Sequence, residues 1–233
     1  MAELTLVVGN RNYSSWSLRA WSMLRHLGLP FAEQRLPLDS AEFRADVGRY
    51  SAAGRVPVLI HGSLRVWESI AIIEYASELA GSRGWPIARP ARAEARAAAA
   101  EMHAGFAPLR AAYPMNIRAR DRVIPMTAAL EASIRRIDLL WSDCRRRYGA
   151  EGPWLFGAYS GADAMYLPVA YRFRTYGSTG LGAESRAYLA TALADPLQEP
   201  WVRAAEAEQE TLAAEEVGIR PAGSEAEGRF HDA

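Results

Sequence analysis

The spacing of apolar residues changes abruptly near residue 81 of this 233-residue chain. Before that point, short runs of apolar and β-branched residues alternate with segments whose apolar residues lie on one helical face. After it, only helical spacing occurs, beginning with the alanine-rich stretch from Ala91 to Ala112. Gly81–Pro86, between the two regions, has the Gly- and Pro-containing composition of a linker. We therefore predict an α/β N-terminal domain over residues 1–82, an all-α domain over residues 89–217, and a mobile tail over residues 218–233.

Short apolar runs predict four strands in the N-terminal region. Val56–Ile60 and Leu64–Trp67 lie on either side of turn-forming residues, so we expect them to form an antiparallel hairpin. Pro57 stands at the head of the first of these strands, a position that tolerates its missing N–H donor. The predicted elements, in order, are a strand at Leu4–Val8, a helix that starts near Ser15 and ends at Gly28, a strand at Phe31–Leu36, a weakly patterned helix at Ala41–Tyr50, the hairpin, and a helix capped by Ser69 that runs to Leu79.

All 27 basic residues of the chain are arginine, and this excludes two kinds of chemistry. A Schiff-base lysine and the lysine-containing phosphate loop are both impossible. A single cysteine, Cys144, excludes an internal disulfide and a Cys-x-x-Cys redox pair, and it indicates a reducing compartment. The basic residues are balanced by 27 acidic ones, so a nucleic-acid partner is not expected. No metal-binding histidine spacing, signal sequence or long apolar run occurs, so we expect a soluble, cytoplasmic protein with no metal ion and no membrane partner.

Several motifs, at matching positions along the chain, resemble those of the glutathione S-transferase family. Ser14–Arg19, with the sequence SSWSLR, resembles the serine motif at the first helix of the zeta- and theta-like transferases. Val56-Pro57 before the third strand and Glu68-Ser69 at the third helix are also similar to the family pattern. Gly157–Asp163 resembles the G-x-x-x-[ST]-x-x-D capping box of its helical domain, and Phe106–Arg118, which contains Tyr113–Asn116, is similar to a segment of a bacterial branch. Each motif alone is weak, but together they span nearly the whole chain. The resemblance implies a thioredoxin-like N-terminal domain with a mixed four-stranded sheet, followed by an all-α helical bundle.

The resemblance also implies that a hydroxyl group at the start of the first helix activates the thiol of glutathione. Ser14 matches the catalytic position of the zeta-like motif, and Ser15 and Tyr13 are its rivals. From the residues alone, both serines could simply cap the helix. The implied glutathione contacts are Arg55 for the glycyl carboxylate, the backbone of Val56 for the cysteinyl part, a cis Pro57 that turns this backbone outward, Glu68 for the ammonium group, and Ser69 for the γ-glutamyl carboxylate.

The second substrate, an electrophile, is expected to bind between the two domains. A methionine and aromatic stripe at helical spacing is more often core than pocket, and this alternative stays open for the helical residues. Ser160 and Asp163 are predicted to be structural, as the two partners of a helix capping box. The residues expected to line the electrophile pocket are Tyr13, Trp16, Phe106, Arg110, Tyr113 and Met115.

Trp16 is a departure from the zeta class, which has cysteine at this position. The departure removes a thiol that could form a mixed disulfide with glutathione, and it weakens the case for maleylacetoacetate isomerase activity. The leading prediction is a serine-type glutathione transferase, active in detoxification of a small, mostly apolar electrophile, with glutathione as its co-substrate. The alternatives are a glutathione-dependent isomerase of the maleylacetoacetate or maleylpyruvate kind, a hydroperoxide reductase, and a non-enzymatic protein that binds glutathione or a protein partner. By analogy with the family, we also expect a homodimer.

Overall fold

A computed structural model describes residues 3–219 of the chain. The N-terminal part alternates strands and helices, as the sequence predicts. Its elements are β1 (Leu4–Val8), α1 (Ser15–Leu27), β2 (Phe31–Arg35), α2 (Ala41–Tyr50), β3 (Val58–His61), β4 (Leu64–Trp67) and α3 (Ser69–Leu79).

The four strands form one mixed sheet in the order β2-β1-β3-β4. β1 runs parallel to β2 and antiparallel to β3, and β3 and β4 form the predicted antiparallel hairpin. The central strands are apolar because helices cover both faces of the sheet, with Leu6 and Leu59 paired and fully buried. The predicted thioredoxin-like domain with a mixed four-stranded sheet is therefore confirmed.

The start and the end of α1 lie where the sequence predicts them. Ser14 occupies its N-cap position, and Gly28 ends it in a left-handed conformation with φ of 68°. The N–H of Gly28 then reaches the carbonyl groups of Arg25 and Leu24, so unpaired carbonyls at the helix end are satisfied. α3 differs from its prediction, because Ser69 is the first helical residue and Glu68 holds the N-cap position.

Helices make up most of the second part of the chain. The predicted helix over Ala91–Ala112 is interrupted at Gly105 and Phe106, and Phe106 has a left-handed φ of 58°. Pro108 explains the interruption, because its ring would clash with the carbonyl group four residues earlier and it offers no N–H donor. A new helix therefore starts there, with the proline in its first turn. The helices are α4 (Arg89–Ala104), α5 (Ala107–Ala112), α6 (Ala128–Tyr148), α7 (Gly161–Tyr176), α8 (Ala183–Leu193) and α9 (Glu199–Ala207).

α7 is buried around nearly its whole circumference and packs against both α1 and α4. At its start, the predicted capping box is present, since the Asp163 carboxylate accepts from the backbone N–H of Ser160 at 2.8 Å. The same carboxylate accepts from the N–H of Leu155 at 3.0 Å. Gly161 follows without a side chain, because a Cβ atom there would lie 2.4 Å from the ring of Trp85 in the linker. This close approach holds the linker against α7 and thereby brings the two parts of the chain together.

The segment after α9 returns to the N-terminal part. The Glu208 carboxylate accepts from the backbone N–H groups of Arg11 and Asn12 at 2.7 and 3.0 Å. At its end, Ile219 exchanges backbone hydrogen bonds with Val123. The rest of the predicted tail, residues 220–233, lies outside the described residues. Within the described part of the chain, no helix has the length and apolar character needed to cross a membrane.

Candidate functional site

A cavity of about 380 Å³ opens where the N-terminal part meets α4 and α5. All five residues predicted to contact glutathione line it, although they come from separate segments of the chain. Two residues predicted for the electrophile pocket, Trp16 and Arg110, line it as well. The complete lining is Trp16, Ala53, Arg55, Val56, Pro57, Trp67, Glu68, Ser69, His103 and Arg110.

The segment before β3 and the start of α3 form one wall of this cavity. The Val56-Pro57 peptide bond is cis, as the resemblance implies, and it lies just before β3. Glu68 has a φ of 67°, which is rare for a residue with a side chain. Such a conformation costs about 1–3 kcal/mol and tends to occur at functional sites. It places the Glu68 carboxylate on the cavity next to Ser69, whose backbone opens α3.

Ser14 and Ser15 are buried at the start of α1 and are not among the residues that line the cavity. The Ser14 hydroxyl makes no hydrogen bond to the backbone of the helix it precedes. It donates instead to Oγ of Ser17 at 2.7 Å, and the same Oγ accepts from the N–H of Gly9 at 3.1 Å. Oγ of Ser15 accepts a long hydrogen bond of 3.4 Å from Nη2 of Arg172 on α7. The Ser14 side chain therefore does not act as a simple helix cap.

Tyr13 has its hydroxyl group bound to the segment after α9. This hydroxyl donates to the Glu216 carboxylate at 2.7 Å and accepts from Nη2 of Arg118 at 2.8 Å. Burial, together with the hydrogen bond to Glu216, raises the pKa of Tyr13 above its ordinary value. The neutral phenol is therefore favoured, and its hydrogen is already donated to Glu216.

The other three residues predicted for the electrophile pocket lie in the hydrophobic core. Phe106 is near Tyr166, with ring centroids 6.3 Å apart, and Tyr113 stacks on Tyr176 at 4.6 Å. Met115 is fully buried. They do not line the cavity, because the break between α4 and α5 turns this part of the chain into the core.

His103 is a cavity residue that the sequence did not single out. It lies near the end of α4, with its ring edge-to-face against Trp16 at a centroid distance of 5.3 Å. Its Nε2 lies 3.7 Å from the Glu68 carboxylate across the cavity. A single histidine within an alanine-rich helix carries no spacing signal, so the sequence offered no means of finding it.

Arg19 lies behind Trp16 and has no solvent exposure. Its guanidinium carbon is 4.1 Å from the centroid of the Trp16 ring, and none of its three nitrogens has a hydrogen-bond partner among the described residues. Burial lowers the pKa of Arg19 well below its ordinary value, and the nearby Arg172 and Arg110 lower it further. Burial also lowers the pKa of Arg172 to about 10. The guanidinium groups of Arg19 and Arg110 therefore both lie against Trp16, close to each other and to Arg172.

Residues 13–79 match the family model of the glutathione S-transferase N-terminal domain. The chain is similar in structure to a glutathione transferase homolog from Burkholderia gl BGR1 with bound glutathione, at 24% identity and a TM-score of 0.65, over 88% of this chain and 100% of that one. It is also similar to the Tau class glutathione S-transferase from mango, Mangifera indica, at 19% identity and a TM-score of 0.66, over 88% and 96% of the two chains. A third similar structure is Ure2p in complex with glutathione, at 19% identity and a TM-score of 0.63, over 87% and 93%. No curated protein sequence matches the chain significantly.

Residues 13–79 therefore match the glutathione S-transferase N-terminal domain, and the N-terminal and helical parts together have the fold of the glutathione S-transferases. Its subclass remains a prediction. Among residues 3–219, no group of three or more His, Cys, Asp and Glu side chains is arranged to hold a metal ion.

Proposed function

We propose that the protein is a glutathione transferase that binds glutathione in the cavity beside the cis Val56-Pro57 bond. One observation carries the proposal: all five residues expected to contact glutathione meet in this one cavity. Glutathione binding by two of the structural neighbours supports it.

Each end of glutathione has a suitable group in the proposed site. The Glu68 carboxylate pairs with the ammonium group, and Ser69 with the N–H groups at the start of α3 takes the neighbouring carboxylate. Arg55 takes the glycyl carboxylate at the far end. The backbone of Val56 pairs with the cysteinyl part, which directs the sulfur toward Trp16 and the start of α1.

Thiol activation is proposed to come from the N-terminal end of α1. A free thiol has a pKa near 8.5, and lowering it by about two units requires roughly 2.7 kcal/mol of preferential stabilisation of the thiolate. The partial positive charge of the helix end and one hydroxyl hydrogen bond supply part of this. Ser14 remains the leading donor on the family pattern, although its hydrogen must turn away from Ser17. Ser15 is its rival, because Arg172 donates to its oxygen and thereby leaves its own hydrogen available for the sulfur.

The proposed reaction is a nucleophilic attack by the thiolate. A sulfur–carbon bond forms, the leaving group departs with the electron pair of its bond to carbon, and the thiol proton passes to solvent. An isomerase would return glutathione unchanged, and a hydroperoxide reductase would produce its disulfide, so product analysis distinguishes these alternatives. We also propose a homodimer, which light scattering tests, and a cytoplasmic location, which fractionation of the source cells tests.

The test is a titration of the protein with glutathione, followed by ultraviolet absorbance of the bound thiolate as a function of pH. The wild type is expected to bind and to keep a thiolate signal well below about pH 8. Ser14→Ala and Ser15→Ala identify the donor, since only the loss of the true donor moves the titration upward. Ser63→Ala, in the exposed turn between β3 and β4, is the matched control and should change nothing. Absence of glutathione binding would refute the proposal, and binding without a shifted thiol pKa would indicate a non-enzymatic binding protein.

A further inference from the structure

Two arginines lie against Trp16 at the junction of the two parts of the chain, and a third, Arg172, contacts the neighbouring Ser15. The guanidinium carbons of Arg19 and Arg110 lie 4.1 and 5.5 Å from the Trp16 ring centroids, and Arg172 acts electrostatically on Arg19 from α7. Arg110 lines the cavity itself, whereas Arg19 and Arg172 are fully or almost fully buried. A cation behind the low-dielectric indole is poorly screened, so its field extends into the cavity.

This arginine cluster, Arg19, Arg110 and Arg172, forms no ion pair within the described part of the chain. Among the described residues, no carboxylate lies within salt-bridge distance of any of the three. Arg110 donates only to the carbonyl of His103, at 3.4 Å, and Nη1 of Arg172 has no partner within the described part of the chain. Glu215 acts on Arg172 through space without forming an ion pair. Buried or half-buried charges are normally paired, so the cluster indicates that a ligand supplies the missing anions.

Glutathione accounts for only part of this positive charge. In the proposed binding mode, its two carboxylates are taken by Arg55 and by the start of α3, and its ammonium group by Glu68. Only the thiolate is left to face the cluster, so one negative charge meets three guanidinium groups. The cavity wall next to the sulfur, where the second substrate must lie, keeps an excess of positive charge.

We infer that the second substrate carries an anionic group, a carboxylate or its equivalent, that binds Arg110 beside Trp16. This inference rests on the proposed function. It changes the expectation of a mostly apolar electrophile, because Phe106, Tyr113 and Met115, which were assigned to the pocket, lie in the core. Trp16 offers a flat apolar face to a planar substrate, and Arg110 offers a fork of N–H donors to its anionic end.

The test compares glutathione conjugates in pairs, and the two members of each pair differ only in charge. S-(para-carboxybenzyl)glutathione and its neutral isostere S-(para-carbamoylbenzyl)glutathione, and the corresponding meta isomers, are titrated by calorimetry into the full-length protein, with glutathione as the reference ligand. Neither conjugate has a thiol, so thiolate stabilisation does not enter. The ratio of the two dissociation constants is the readout, and it cancels any change in affinity for the shared glutathione part.

In the wild type, the carboxylate conjugate of at least one isomer is expected to bind about tenfold tighter than its amide, and added salt should reduce this ratio. Arg110→Gln should bring the ratio to within about twofold of one. Arg135→Gln, on the exposed face of α6 with 67% of its side chain accessible, removes the same charge far from the cavity and should keep the wild-type ratio. Ratios near one for both isomers in the wild type, or a ratio that survives Arg110→Gln, would overturn the inference while glutathione still binds. Failure of glutathione itself to bind would instead remove the proposed function, and this inference with it.

Discussion

Replacing Arg19 by methionine removes a buried charge while keeping most of the side chain's aliphatic length. Arg19 has no accessible surface, its nitrogens have no partner within residues 3–219, and two further guanidinium groups lower its pKa. Among the described residues, the Arg19 charge contacts the face of Trp16 at 4.1 Å and is otherwise favoured only by Tyr166 acting through space. We therefore expect Arg19→Met to stabilise the ligand-free protein.

The expected gain follows from three opposing contributions. Burying an ion costs several kcal/mol, and a desolvated cation–π contact returns about 2 kcal/mol of this. Replacing buried charged groups by apolar residues of similar volume is neutral or stabilising by about 1–4 kcal/mol. Methionine is shorter than arginine, and the space it leaves lowers the gain by about 1 kcal/mol. The net expectation is an increase of about 0–3 kcal/mol in the free energy of unfolding, or about 2–4 °C in melting temperature per kcal/mol for a chain of this size.

Urea unfolding, followed by both far-ultraviolet circular dichroism and tryptophan fluorescence, measures this change. Coincident transitions by the two probes are needed before a two-state free energy is assigned to a chain with two parts. Arg135→Met, at an exposed site, is the control and should stay within about 0.5 kcal/mol of the wild type. A loss of 1 kcal/mol or more in Arg19→Met at an unchanged m-value would show that the guanidinium is paired or hydrated in solution, and the reasoning would fail.

Three further predictions concern binding, thiol activation and pH. Glu68→Gln removes the proposed partner of the ammonium group and should raise the dissociation constant of glutathione about 10- to 100-fold by calorimetry; an unchanged constant would remove Glu68 from the site. Tyr13→Phe should leave the thiolate titration unchanged, because the phenol hydrogen is committed to Glu216, whereas an upward shift would make Tyr13 the activator. Burial raises the pKa of Asp163 from 3.8 to about 6, so its contribution to stability is fully present below the unfolded value and is lost as the pH rises through 6. Between pH 5 and 7 the wild type should therefore lose about 1 kcal/mol more than Asp163→Asn in urea unfolding, and parallel profiles would contradict this.

Local signals made much of the fold predictable. The end of α1 follows from the left-handed Gly28, and the start of α7 follows from the Ser160–Asp163 capping box. These signals act within a few residues, so the sequence is sufficient to reveal them. The helix break at Gly105 and Phe106 was not predicted at this position, because the alanine-rich stretch has high helix propensity on both sides of Pro108.

The candidate site was predictable where a family motif marks it and not elsewhere. Val56 and Glu68 stand in such motifs, and the structure brings them to one cavity. His103 has no motif, and its place opposite Glu68 depends on how α4 packs against the N-terminal part. Phe106 was predicted to line the pocket but lies in the core, because helical spacing cannot distinguish a residue that faces a cavity from one that faces the core.

The sequence by itself determined the order of strands and helices, the places where most of them start and stop, and the chemical groups available for glutathione. It also excluded lysine-dependent chemistry and an internal disulfide, since the chain has no lysine and one cysteine. Only the tertiary structure decided which of these groups share a cavity and which charges lose their contact with water. Arg19 is one arginine among many in the sequence, and it becomes a buried, unpaired cation only when α1 and α7 pack together around it. The physical reason is that hydrogen bonds and caps act between near neighbours in the chain, whereas burial and electric fields depend on residues far apart in sequence.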